Sequence, residues 1–267
     1  MYMLCRSGLL FISLCLLAVM TAKAKQPRTY QLQYYATINP DTEQAEVQIT
    51  LPDAKLINSI NFRLDEKFHS KVQGNGELEL IDGRAIWQPP EKNARLSYTV
   101  NLNHERSPGE FDSIYQKDFA IFRGDDLIPP ATVRTKPGAH SKATLTFELP
   151  KHWNSVNSGW PKKEDRHFII DNPERRFDRP TGWFIAGKLG TRRENLNGTH
   201  IAISAPQNMD VERMDLVSFM LMNWPQLREL VGELPPKILI VSAPDPMWRG
   251  GLSGPNSLFF HADRPMV

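Results

Sequence analysis

The sequence predicts a mainly β protein, an antiparallel β-sandwich followed by the incomplete start of an α+β domain. Three observations carry this. Short segments between residues 28 and 150 alternate apolar and polar side chains with the two-residue period of a half-buried strand. Turn residues separate them, most clearly Asp82-Gly83, a pair suited to a two-residue hairpin. From residue 210 the apolar spacing changes to three and four, as on a helix, and a short apolar strand and a glycine-dense segment follow.

The strands read in order. Residues 29–34 alternate, and 46–51 do so more cleanly before Pro52. Residues 60–64 follow. Residues 77–81 reach Asp82-Gly83 and resume at 84–87. Residues 95–102 and 143–149 are the last clear members of the set. Such strands pack as two sheets, each with one face buried.

Residues 120–130 interrupt the pattern with Asp125 and Asp126 beside Pro129-Pro130. A metal or acid–base pair would need the two carboxylates to converge, but neighbours on an extended chain point opposite ways. A turn with Asx hydrogen bonds is expected instead. In residues 151–204, Trp153, Trp160 and Trp183 stand among charges and prolines, as core and interface packing or as a binding platform. Arg175, Arg176 and Arg179 read as a solvated basic loop. The run from Gly182 to Leu189 matches G-x-x-x-x-G-K, yet Leu189 stands where a phosphate loop needs Ser or Thr. Its bulky apolar residues indicate a strand at 183–186, and 199–204 reads as another.

Residues 210–223 form the clearest helix, with Asp210 as cap and Val211, Met214, Val217, Leu221 and Trp224 on one apolar face. Pro225 is expected to kink it or to start a second helix through Leu227 and Leu230, and Gly232 to end it. Met214, Met220 and Met222 read as core filler. Residues 237–242 and 257–261 are apolar strands flanking Gly250, Gly251, Leu252, Ser253 and Gly254. The β-sandwich region is expected to span 25–205 and the second domain 206–267.

Residues 1–24 carry Arg6, an apolar run at 9–20 and Ala22-Lys23-Ala24, the pattern of a cleaved export signal. The run is short for a membrane span of roughly 20 residues, so no stable anchor is expected after cleavage. Both cysteines, Cys5 and Cys15, lie inside it, which leaves a mature chain without disulfides and fits a bacterial periplasm. Arg6 and Lys23 are two of the 32 basic residues; without them 30 remain against 30 acids. A formal charge of zero argues against nucleic acid as the partner. Asn197-Gly198-Thr199 is a glycosylation triplet, without meaning in a bacterium.

No two of the seven histidines (His69, His104, His140, His152, His167, His200 and His261) are spaced as ligands on one helical face, and no H-E-x-x-H occurs. No zinc site is therefore expected in this chain. His261 reads as a polar residue at a strand end. Gly251-Leu252-Ser253-Gly254-Pro255 approaches the nucleophile elbow G-x-S-x-G, but proline ends it and a strand follows where a helix is required.

The run from Leu227 to Pro265, with E-L-V-G-E-L-P-P-K-I-L-I-V and then A-P-D-P-M-W-R-G-G-L-S-G, resembles the opening of the catalytic domain in glycyl-aminopeptidase-like zinc metallopeptidases. These belong to the gluzincin group that includes aminopeptidase N. The resemblance implies a β-sandwich followed by a thermolysin-like domain, with a peptide or protein substrate. It implies that Gly250, Gly251, Leu252, Ser253 and Gly254 form a substrate-binding edge strand whose main-chain groups pair with an extended peptide. Ser253 and Gly254 stand where the family usually carries a glutamate that holds a substrate amine. The resemblance also implies zinc in a complete parent protein, on an H-E-x-x-H helix expected after the glycine-rich strand. Residues 1–267 lack that motif, so the chain alone is expected to be inactive. The other open reading is a non-enzymatic periplasmic β-sandwich module that binds protein or carbohydrate through its tryptophans.

Overall fold

The computed structural model describes residues 28–172 and 177–263. The expected export signal, Arg175 and Arg176 lie outside these residues.

The described residues begin with β1 (Arg28–Asn39), β2 (Gln44–Asp53), β3 (Ile57–Arg63), β4 (His69–Gly74), β5 (Glu77–Ile81), β6 (Arg84–Gln88) and β7 (Lys92–Asn101). β8 (His104–Ser107), β9 (Glu110–Gln116) and β10 (Phe119–Arg123) lead to a single helical turn, α1 (Gly124–Leu127). Then come β11 (Ala131–Thr135), β12 (Ala139–Glu148), β13 (Ser155–Ser158), β14 (Lys162–Glu164), β15 (His167–Ile170) and β16 (Trp183–Gly187). β17 (Leu189–Leu196), β18 (Thr199–Pro206), α2 (Arg213–Val231), β19 (Lys237–Ala243), β20 (Gly251–Gly254) and β21 (Ser257–His261) complete them.

These elements stack in four layers. The outermost is a seven-stranded sheet ordered β14-β15-β12-β1-β2-β7-β4. Its strands alternate as the sequence does; in β1, Tyr30, Leu32, Tyr34, Ala36 and Ile38 point inward. β1 and β12 are parallel, an exception in an otherwise antiparallel sandwich. The second layer holds the four-stranded sheet β11-β3-β6-β5 and the five-stranded sheet β13-β16-β10-β9-β8. One apolar cluster fills the space between, with Leu32 and Tyr34 on one side and Phe62, Trp87, Phe122 and Phe184 on the other. In the β5–β6 hairpin Ile81 faces Arg84, and Asp82 (φ 47°) and Gly83 (φ 68°) take the left-handed conformations of a two-residue turn.

The third layer is a sheet ordered β17-β18-β19-β21-β20, in which β18, β19 and β21 run parallel. It packs on the far face of the β16 sheet through Ile114, Ile121, Trp183, Ile185, Leu239, Val241 and Phe259. β16 is thus buried on both sides: Phe184 and Ala186 face the sandwich core, Trp183 and Ile185 the third layer. This explains why residues 183–186 read as an unbroken apolar run. Because the β17–β18 hairpin pairs with β19, the sheet that carries the glycine segment starts at Leu189, upstream of residue 206.

The fourth layer is α2, on the other face of that sheet. Leu216, Val217, Met220 and Trp224 pack on Ile201, Ile203, Ile238 and Ile240. Each such burial contributes about 1.5–3 kcal/mol, more than propensity could supply to a helix of this length. The expected face holds in part: Val211, Val217 and Trp224 are buried, but Met214 and Leu221 are exposed and Leu216 and Met220 are buried instead; of the three methionines expected as core filler, Met214 and Met222 are exposed. The helix carries apolar residues all round, so spacing alone could not select the inner stripe. Glu212, and not Asp210, occupies the cap position, without a side-chain cap bond, and the helix continues through Pro225 as one element. No helix among the described residues is long and apolar enough to cross a membrane.

Candidate functional site

Among the described residues β20 is the last strand of the third-layer sheet and pairs on one side only, antiparallel to β21. The register is Gly251↔Phe260, Leu252↔Phe259, Ser253↔Leu258 and Gly254↔Ser257. His261 N–H donates to Gly250 O at 3.0 Å, which makes that pair hydrogen-bonded. Alternation along an antiparallel ladder then turns the main-chain groups of Leu252 and Gly254 toward β21. Those of Gly251 and Ser253 face the free edge. Of the five residues expected to bind substrate, Gly251 to Gly254 form the strand, Gly250 ends the preceding loop, and two offer unpaired backbone.

The edge is held from behind by the sandwich. Leu252 packs into the cluster shared with Trp183 and Phe259. Trp183 Nε1–H donates to Leu252 O at 3.0 Å, and its backbone N–H donates to Ser257 Oγ at 2.8 Å. The β20–β21 turn docks so closely that a Cβ on Gly254 would stand 2.9 Å from Gly182 Cα. Gly254 thus admits the chain's own backbone at Gly182.

The loop before β20 is fastened to β9. Phe111 N–H donates to Pro246 O and Trp248 N–H to Phe111 O, both at 2.9 Å. The Arg106 guanidinium lies 4.2 Å from the Trp248 ring centre, a cation–π contact. That ring covers Gly250, where a Cβ would meet indole atoms at 2.2 to 2.6 Å. Gly251 has room, its nearest neighbour for a Cβ being Phe260 Cδ1 at 3.4 Å. Sequence reading did not single out Arg106, Phe111 or Trp248 in these roles, since no local pattern couples residue 111 to residue 247.

His261 ends β21 as expected, but its side chain is fully buried. Its Nε2 lies 3.2 Å from Asp245 Oδ1, and its Nδ1 accepts from Asp263 N–H at 3.2 Å. Ligand atoms of Asp245, His261 and Asp263 lie within 4.8 Å of one another. The Arg249 guanidinium already grips Asp245 through both carboxylate oxygens and holds its carboxyl below the usual range. A metal would have to displace that cation and the Asp263 N–H, so the cluster acts as a fastening for residues 244–250.

Elsewhere the structure revises the sequence reading. Asp125 and Asp126 do sit on a turn, the helical turn α1, but Asp125 bonds to distant residues and not to its own backbone as an Asx turn would. Asp125 accepts from Arg179 Nη2 at 3.1 Å and from Gly182 N–H at 3.0 Å. Arg179 is therefore buried and paired, where a solvated loop was expected. Asp126 meets two histidines: its carbonyl contacts His69 Nε2 at 2.8 Å and its carboxylate His104 Nδ1 at 3.5 Å. Burial lowers the His104 pKa and raises that of Asp126, while each opposes the other's shift; together with His69 the contacts clasp β4, β8 and α1. Trp153, Trp160 and Trp183 are all buried, and each indole N–H donates to a backbone carbonyl. They form no exposed platform. Ser253 lies exposed on β20 and makes no hydrogen bond to a histidine. The Gly182–Leu189 run is strand β16, not a phosphate loop. A concavity of about 680 Å³ lies over Tyr35, Thr37, Gln48, Ser97 and Thr146 on the outer face of the sandwich, away from β20.

No protein-family model matches the chain, and no curated relative does. Among solved structures, its fold is similar to that of an aminopeptidase N family protein from Idiomarina loihiensis, with a TM-score of 0.65 and 14% identity. The match covers 88% of this chain and 44% of that one. The chain thus shares a fold with less than half of that protein's length.

Proposed function

We propose that this chain is the N-terminal portion of an exported, aminopeptidase-like zinc metallopeptidase, and that it supplies the β domain and the edge strand on which an extended peptide lies. The observation that carries this reading is the outward-facing backbone of Gly251 and Ser253, on a strand fixed by Trp183. A pre-positioned edge binds an extended chain without first having to order itself. The fold shared with part of an aminopeptidase N family protein supports it.

Residues 1–267 contain no H-E-x-x-H, and among the described residues the group with metal-like spacing, Asp245, His261 and Asp263, is engaged by Arg249. These residues do not fit a peptidase zinc centre. In this reading zinc belongs to the complete protein, and residues 1–267 alone do not hydrolyse peptides. Export rests on residues 1–24, and the balanced charge favours peptide over nucleic acid as partner.

Ser253→Pro tests the edge role. It removes an N–H that faces the free edge and spares the β20–β21 ladder, since proline is tolerated on edge strands. Peptide hydrolysis by the complete protein should fall by about tenfold or more, the worth of one lost hydrogen bond plus a blocked edge. Undiminished hydrolysis in a folded variant would remove the edge strand from the reading. Metal-dependent hydrolysis by residues 1–267 alone would remove the claim of inactivity.

A further inference from the structure

We propose that Lys162, Lys237 and Arg193 form a binding site for a phosphate-class oxyanion at the seam between the sandwich and the third-layer sheet. Lys162 opens β14 at the sandwich edge, Lys237 opens β19, and Arg193 lies in β17. The register pairs Arg193 with Ala202, Ala202 with Leu239, and His200 with Lys237. Residues two apart on a strand share a face, so Arg193 and Lys237 lie on the face that Leu239 turns toward the sandwich. Lys162 meets them from the other side. Its ammonium is 5.6 Å from the Phe168 ring centre, and that of Lys237 is 6.0 Å from the same ring.

Lys237 Nζ donates to Trp160 O at 2.8 Å, its one hydrogen bond among the described residues. An ammonium has three donors, so two remain. No carboxylate among the described residues forms an ion pair with Lys162, Lys237 or Arg193; Asp165 acts on Lys162 from a distance. Lys162 and Lys237, both half-buried, therefore approach one ring, and the exposed Arg193 acts on both from the rim of the seam. Burial first, then Lys162 and Arg193, bring the Lys237 pKa down to about 8. Burial also lowers that of Lys162, with Arg193 adding to the effect. A buried charge without a counterion is costly, and an oxyanion with several acceptor oxygens offsets that cost by charge-assisted bonds to all three side chains.

The anion would hold Lys237 protonated, so affinity should fall as pH rises past about 8. His200, the cross-strand neighbour of Lys237, and Asp165, beside Lys162, are the other titratable groups at the seam. The site is independent of β20, and its failure would leave the peptidase reading untouched.

The test is calorimetric titration of the chain with inorganic phosphate and, separately, with glycerol phosphate, a phosphomonoester. Saturable binding is expected near pH 7, weakened about tenfold or more in Lys237→Met and in Lys162→Met, each losing a charge-assisted bond. Preference for inorganic phosphate would identify a free-ion site, and equal binding of the ester a site for a phosphorylated ligand; both support the proposal. No saturable binding of either probe, or binding undiminished in both folded variants, overturns it.

Discussion

Trp183 Nε1–H donates to the carbonyl oxygen of Leu252 at 3.0 Å, joining a central strand of the second layer to the edge strand of the third. The Trp183 backbone N–H holds Ser257 in the paired strand. One buried residue thus fixes both arms of the β20–β21 hairpin. Trp183→Phe keeps an aromatic ring but removes the bond and some volume. The expected loss is about 1–3 kcal/mol in urea unfolding, with faster amide exchange at Leu252 and Gly254. Unchanged exchange in β20 would mean that the hairpin is held by other contacts.

Gly250 and Gly251 should respond differently to alanine. A Cβ at Gly250 meets the Trp248 ring, so Gly250→Ala must swing the indole away from Arg106. A red-shifted tryptophan emission and a cost of about 1 kcal/mol or more are expected. Gly251→Ala, with its nearest neighbour at 3.4 Å, should leave emission unchanged and stability within about 0.5 kcal/mol. Equal behaviour of the two variants would refute the packing described.

Asp125 anchors the start of β16 through Gly182 N–H and neutralises the buried Arg179. Asp125→Asn keeps the shape and removes the charge, leaving Arg179 unpaired. Unfolding free energy should fall by about 2 kcal/mol, less than for a fully buried pair because Asp125 is partly exposed. A change below about 0.5 kcal/mol would restore the reading of Arg179 as a solvated residue.

Lys237 gives stability a pH dependence. Below about pH 8 it is charged in both folded and unfolded chains, and burial makes that charge costly only when folded. Between about 8 and the ordinary value of 10.5 the unfolded chain binds more protons, so this contribution improves stability as pH rises. In phosphate-free buffer, Lys237→Met should be more stable than the parent at pH 7 by about 1–2 kcal/mol, a figure reduced for partial exposure. The advantage should shrink toward pH 10.5. A pH-independent difference would contradict it.

The sandwich was legible because its strands bury one face: Tyr30, Leu32 and Tyr34 alternate with exposed residues, and Asp82-Gly83 marks its own turn. The layer order was not. Trp183 to Ala186 are buried on both sides, which hides the period. Asn197-Gly198 is another two-residue hairpin turn, with φ of 51° and 92°, and the same residues drew attention only as a glycosylation triplet. The parallel pairing of β18 with β19 spans the whole of α2 and leaves no local trace. At the site, Gly250 to Gly254 stood out by composition. Which of them face outward follows from the ladder, and what holds them follows from Trp183 and Trp248.

The central claim is that Gly251 and Ser253 present free backbone to an extended peptide. Residue-resolved amide exchange in the complete protein, with and without a slowly cleaved extended peptide, tests it most directly. Before addition, Gly251 and Ser253 should exchange fast and Leu252 and Gly254 slowly; with peptide bound, Gly251 and Ser253 should slow while the other two stay as they were. Fast exchange at Gly251 and Ser253 under saturating peptide would contradict the account.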